Sequence, residues 1–138
     1  MEIYIHIPFC VRKCSYCDFL SFSMGQDVQK KYVDRLIEEI KHAGAGFRDT
    51  TVTSVFVGGG TPSILKSEEI VRIFDVLRNT FKIEDDAEIS MEANPGTVTE
   101  EKLLDYRKAG INRLSFGLQS ADNAELKALG RIHTYEEF

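Results

Sequence analysis

The sequence predicts an α/β fold on a parallel sheet, and three observations carry that expectation. Four apolar or alternating segments, Ile3 to Ile7, Val52 to Val57, Glu88 to Ala93 and Arg113 to Gln119, each precede a stretch of helical periodicity. The helical stretches are long enough to cross over a sheet, as parallel neighbours require. Three of the four strands carry one polar face, which a sheet covered on both sides does not explain.

The elements follow in order. The first strand sets Ile3, Ile5 and Ile7 on one face and Glu2, Tyr4 and His6 on the other, because strand side chains alternate. A helix is expected from Val28 to Ala43, where Tyr32, Leu36, Ile37 and Ile40 recur at helical spacing. The second strand is apolar and runs into Gly58-Gly59-Gly60-Thr61-Pro62. Ile70, Ile73, Phe74 and Leu77 define a second helix from Ser67 to Asn79. In the third strand Ile89 and Met91 oppose Glu88, Ser90 and Glu92, and a third helix spans Thr99 to Ala109. In the fourth, Leu114, Phe116 and Leu118 oppose Arg113, Ser115, Gly117 and Gln119, before a helix from Asn123 to Leu129. Thr97 with Glu100, and Asp122 with Glu125, have capping-box spacing at the last two helix starts.

The polar faces acquire a reason if the helices all lie on one side. Right-handed crossovers put them there, and the other face becomes the lumen of a curling sheet. Tyr4, His6, Glu92 and Gln119 are then expected to converge on a polar cavity. Four strands do not close a parallel barrel, and Thr134 with Glu137 marks another helix start at the end of the sequence. Residues 1–138 are therefore expected to be the N-terminal part of a longer domain, about four βα units of it. Isolated, such a piece is expected to aggregate through unpaired strand edges.

With 17 basic against 22 acidic side chains, the net charge is −5, and the basic residues are dispersed. That argues against a nucleic-acid or anionic-membrane partner. No segment has the run of about 20 apolar residues that spans a bilayer. All three cysteines fall within Cys10-x₃-Cys14-x₂-Cys17, without a secretory leader before them. An odd, clustered set of this kind points to metal binding in a reducing compartment, hence the cytoplasm. Three thiolates from one loop suit a [4Fe-4S] cluster with one iron left open for chemistry. The competing reading is a structural Cys₃His zinc site completed by His6, which the spacing fits less well because it lacks paired Cys-x₂-Cys knuckles. The triple glycine permits close approach of a ligand to the backbone. It has neither the dinucleotide nor the P-loop pattern. Both loops follow strands at their C-terminal ends, where parallel α/β folds build sites.

Together these residues resemble a known family. Tyr4-Ile-His-Ile-Pro-Phe-Cys10-x₃-Cys14-x-Tyr16-Cys17-Asp-Phe19, Gly58-Gly-Gly-Thr-Pro62, Glu92-Ala-Asn-Pro-Gly-Thr97 and Leu114-Ser-Phe-Gly-Leu-Gln-Ser120 are similar to the radical SAM enzymes of the coproporphyrinogen dehydrogenase class (HemN) and their relatives, the HemW heme chaperones. The resemblance implies a partial (β/α)6 radical SAM barrel. It implies that Cys10, Cys14 and Cys17 ligate the cluster, and that S-adenosylmethionine (SAM) sits on the open iron, where its sulfonium is cleaved to a 5′-deoxyadenosyl radical. Tyr4 would contact SAM and Tyr16 would pack near its adenine. Gly59, Gly60 and Thr61 would hold its methionine end, with Glu92, Gln119 and Arg131 as polar contacts. Phe19 stands where the dehydrogenase carries a further cysteine, so the resemblance favours a chaperone that binds heme and passes it to acceptor proteins. Oxidative decarboxylation of coproporphyrinogen III is the alternative. His42 and His133 are expected at the surface or in caps rather than as ligands.

Overall fold

The computed structural model describes residues 1–47 and 49–138. In chain order it contains β1 (Glu2–Ile7), α1 (Gln26–Gly44), β2 (Thr51–Gly59), a 3-10 turn (Pro62–Ile64), α2 (Ser67–Thr80), β3 (Lys82–Ala93), α3 (Glu100–Lys108), β4 (Arg113–Phe116) and α4 (Asn123–Ala128). The four strands form one sheet in the order β1-β2-β3-β4, parallel throughout. Sequential neighbours mean that the chain winds in one direction, as in a barrel. A doubly wound sheet reverses its order midway.

Register arranges the side chains in rows. Ile5, Val57, Met91 and Leu114 are paired neighbours across the sheet on its apolar face. On that face Val33, Ile37 and Ile40 of α1, Ile70, Ile73, Phe74 and Leu77 of α2, and Tyr106 of α3 join the strand residues in one buried core. Removing such side chains from water, at about 25 cal/mol per Å² of apolar surface, drives the docking of all three helices on one side. Arg72 of α2 bridges Asp34 of α1 at 2.7 Å and Glu69 on its own helix. The Arg72–Asp34 pair is half-exposed and contributes about 0–1 kcal/mol. The opposite face carries the rows Tyr4, Phe56, Ser90, Arg113 and His6, Gly58, Glu92, Ser115.

Three of the departures from the expected boundaries have a clear local cause. β3 begins at Lys82, and its ladder with β2 is interrupted between Val52 and Ser54, which lets the extra residues of β3 bulge. β4 ends at Phe116 because Leu118 N turns back to donate to Phe116 O and Gln119 takes φ +72°. The N-cap of α3 is Thr99, not Thr97: Thr99 Oγ1 accepts from Lys102 N at 3.3 Å. Thr97 is occupied in closing the Asn94-Pro95-Gly96 turn, its hydroxyl donating to Asn94 O at 2.7 Å.

The other two capping spacings hold. Thr134 Oγ1 accepts from Glu137 N while Glu137 Oε2 accepts from Thr134 N, though a turn rather than a helix follows. Asp122 Oδ1 accepts from both Ala124 N and Glu125 N, at 2.7 and 3.0 Å. Asp122→Ala is therefore expected to destabilise the fold by about 1 kcal/mol. Urea unfolding monitored by circular dichroism measures it, and an unchanged midpoint would contradict the cap.

Candidate functional site

The site begins where β1 runs out. Pro8 ends the strand, and the chain loops outward and returns alongside itself: Phe22 N donates to Pro8 O and Cys10 N to Phe22 O, at 2.9 and 3.0 Å. Phe9 anchors the base of this loop, buried edge-on against Tyr32 at 5.2 Å between ring centres. All three cysteines lie within the loop, as free thiols. Its far side is docked by Arg12, which donates to Gly130 O at 2.8 Å and Arg131 O at 2.9 Å.

The glycine turn forms the adjoining wall. Gly60 N donates to Ile7 O and Thr61 N to Phe9 O, tying the end of β2 to the start of the cysteine loop. A Cβ on Gly60 would lie 2.6 Å from Phe9 O and 3.0 Å from Cys10 Sγ. Gly59 has φ +114°, and a Cβ there would meet the His6 ring at 2.7 Å. Only glycine fits both places. Gly59 N donates to Glu92 Oε2 at 3.1 Å, which brings β3 into the same wall. Beneath it Lys102 Nζ donates to Ser63 O and Thr97 O, stapling two loops together. Burial of that ammonium lowers its pKa.

These walls enclose a cavity of about 380 Å³. Of the residues singled out from sequence, Cys10, Cys14, Cys17, Tyr16, Gly59, Gly60, Thr61, Glu92, Gln119 and Arg131 line it. Tyr4 and His6 do not, which corrects the expected convergence. Tyr4 lies one row down the sheet from Glu92, is 58% exposed, and stacks on Phe56 with its hydroxyl 2.9 Å from His6 Nδ1. Loss of solvent and then the Glu92 charge raise its phenol pKa. His6 Nε2 faces Leu20 O, so both ring nitrogens have partners.

Arg131 joins the walls. Its Nη2 donates to Asn94 Oδ1 at 2.8 Å and to Gly117 O at 2.7 Å, while Nη1 lies 3.4 Å from Tyr16 Oη and 3.8 Å from Cys14 Sγ. The Tyr16 phenol pKa is raised by burial first, with Arg131 opposing. Among the described residues no three His, Cys, Asp or Glu side chains close on one point as ligands of a single ion. All three thiols line the one cavity. Two buried polar atoms of cavity-lining residues, Ser21 Oγ and Arg131 Nε, have no partner among the described residues. Unpaired buried donors cost about 1–3 kcal/mol unless a ligand satisfies them. The donor set therefore fits an anionic, sulfur-bound group.

Asn94, Arg12 and Ser21 escaped the sequence reading. Asn94 stood inside a recognised motif, but an asparagine before proline reads as a turn residue. His133, expected at the surface or in a cap, is 4% exposed, its Nε2 3.3 Å from Leu118 O and its Nδ1 unpaired among the described residues. Burial and then the Arg131 charge lower its pKa from 6.5. The unfolded state consequently binds a proton first as pH falls. His133 contributes stability above pH 6.5 that is lost as pH drops below 6.5 toward the folded pKa. Unfolding free energy measured from about pH 7.5 to about pH 5 should fall less steeply in His133→Gln. Identical slopes would contradict this.

Comparison with known proteins agrees with the geometry. A model of the radical SAM superfamily matches residues 4–138. Heme chaperone HemW of Escherichia coli strain K12 is 44% identical over 138 residues, covering 99% of this chain and 36% of the relative. Heme chaperone HemW of Haemophilus influenzae is 40% identical, covering 99% and 37%. Among solved structures, coproporphyrinogen III oxidase (HemN) from Escherichia coli, described as a radical SAM enzyme, superposes with a TM-score of 0.92 at 34% identity, covering 99% of this chain and 32% of its own. The chain thus spans about a third of the length of these proteins. The family model covers nearly the whole chain and the parallel one-way sheet superposes on that of a radical SAM enzyme, so the chain belongs to the radical SAM superfamily.

Proposed function

We propose that this chain holds a [4Fe-4S] cluster on Cys10, Cys14 and Cys17, binds SAM against the glycine turn, and forms part of a cytoplasmic heme chaperone that passes heme to acceptor proteins. The observation that carries the site is the sharing of one cavity by three loop thiols and the Gly59-Gly60-Thr61 turn. Three ligands leave one iron open, and the cluster when bound supplies the electron for SAM cleavage. Gly59, Gly60 and Thr61 offer backbone at close range to the methionine end. Arg131 offers its guanidinium to a carboxylate, and Tyr16 flanks the place of the adenine. Gln119 and Glu92 are further polar contacts. Tyr4 supports the turn through His6, whose ring packs against Gly59.

The heme reading is supported by the curated relatives, named heme chaperones, and by Phe19 in place of a further cysteine. The likeness to coproporphyrinogen III oxidase favours the second reading, decarboxylation of coproporphyrinogen III. One assay separates them: anaerobically reconstituted protein is offered heme with an apo-acceptor, and separately coproporphyrinogen III with SAM. Heme transfer without decarboxylation is the expected result. Turnover of the porphyrinogen would overturn the chaperone reading. Metal analysis giving one zinc and no sulfide would overturn the cluster.

A further inference from the structure

Asn94 lies between Thr61 of the glycine turn and Arg131, and its amide is bonded at both ends. Arg131 has only donors, so the atom 2.8 Å from its Nη2 is the amide oxygen. The amide nitrogen is thereby turned to Thr61 Oγ1, at 2.9 Å. Having accepted from Asn94, the Thr61 hydroxyl keeps its own proton for its other neighbour, Cys10 Sγ at 3.3 Å. A metal-bound thiolate has no proton to give. The direction Asn94 to Thr61 to Cys10 is then the one that remains.

The other end of the amide is fixed too. Arg131 Nη2 also donates to Gly117 O, and the two anchors hold the guanidinium plane so that Nη1 stands 3.8 Å from Cys14 Sγ. Asn94 itself cannot swing, because its backbone N–H donates to Ser63 Oγ at 3.1 Å and its carbonyl accepts from Thr97. Ser63 and Thr61 are almost wholly buried, so water does not compete for these bonds. One path of polar contacts runs from Cys10 through Thr61, Asn94 and Arg131 to Cys14.

Donors aimed at ligand sulfurs stabilise the added electron of a reduced cluster and raise its potential. We propose that Asn94 is a positioning residue that directs the hydrogen bonds received by Cys10 and Cys14, and through them raises the reduction potential of the cluster. This deepens the cluster reading above and rests on it.

Asn94→Asp is the discriminating variant. It preserves shape and the partner of Arg131, but it cannot donate. The Thr61 hydroxyl then donates to the carboxylate and presents a lone pair to Cys10. In redox titrations of the reconstituted protein with dithionite and mediators, without SAM, the ratio of reduced to oxidised cluster at a fixed potential should fall at least tenfold. For a one-electron couple that is about 59 mV. Iron and sulfide content should be unchanged. In a Thr61→Val background the shift from Asn94→Asp should shrink to less than half, because the relay is already cut.

An unaltered potential in a loaded Asn94→Asp protein overturns the proposal, as does an equal shift in the Thr61→Val background, which would make added charge the sole cause. If Asn94→Asp fails to hold a cluster, Thr61→Val by itself decides: a lowered potential supports the relay and an unaltered one overturns it. A wild-type protein that takes up zinc and no cluster removes the ligand reading and this proposal with it. That failure is distinct from an insensitive potential.

Discussion

Cys14→Ala is expected to abolish cluster binding, so that the anaerobically reconstituted protein loses its iron-dependent brown absorption and its acid-labile sulfide. The three thiols line one cavity, and among the described residues the chain brings no other cysteine to it. Because a cubane already lacks one protein ligand here, removing a second leaves two irons unheld. Loss of cofactor is then complete rather than graded. The fold should survive: Cys14 is half-buried in a loop, outside the core that joins the helices to the sheet, and such a truncation costs within about 1 kcal/mol. Far-ultraviolet circular dichroism of wild-type and variant apoproteins should coincide. A variant that retains wild-type iron and sulfide would refute the ligand assignment.

Gly60→Ala is expected to have the second-largest effect. Its methyl group would sit 2.6 Å from Phe9 O, a backbone atom pinned by the bond it accepts from Thr61 N, and 3.0 Å from Cys10 Sγ. No flexible side chain can give way, so either the glycine turn or the start of the cysteine loop must move. Overpacking of this kind costs about 1–3 kcal/mol. The same displacement moves Cys10, so iron loading should fall at least tenfold, in the range expected for disturbing the surroundings of a metal ligand. Gly25→Ala is the control. Gly25 is the N-cap of α1, with φ −67° and open space where the Cβ would go, so alanine there meets no clash, costs at most about 1 kcal/mol through the weaker cap, and should leave iron loading unchanged. Equal denaturation midpoints for Gly60→Ala and wild type would contradict the steric argument.

The order of elements was legible because it depends on local spacing. Ile70, Ile73, Phe74 and Leu77 mark a helix face wherever the helix packs, and Ile3, Ile5 and Ile7 mark a strand face by simple alternation. The cysteine loop and glycine turn were legible because their chemistry is written in adjacent residues. The errors fell where distant loops meet. Thr97 has the spacing of a cap, yet Asn94 and Ser63 claim its hydroxyl. Tyr4 and Glu92 share a face, yet register puts them in different rows. His133 reads as a surface or cap residue and is buried because the chain after α4 folds back on Leu118.

By itself, then, the sequence determined an α/β parallel sheet, a cluster of three thiols in one loop and the segments that surround it. The tertiary structure decided which polar groups face the thiols. Asn94, Arg131 and Cys14 are brought together by the closing of three separate loops, and hydrogen-bond direction across them follows from geometry. Residue spacing encodes which face a side chain occupies; it carries no measure of the angle and distance at which two such faces finally meet.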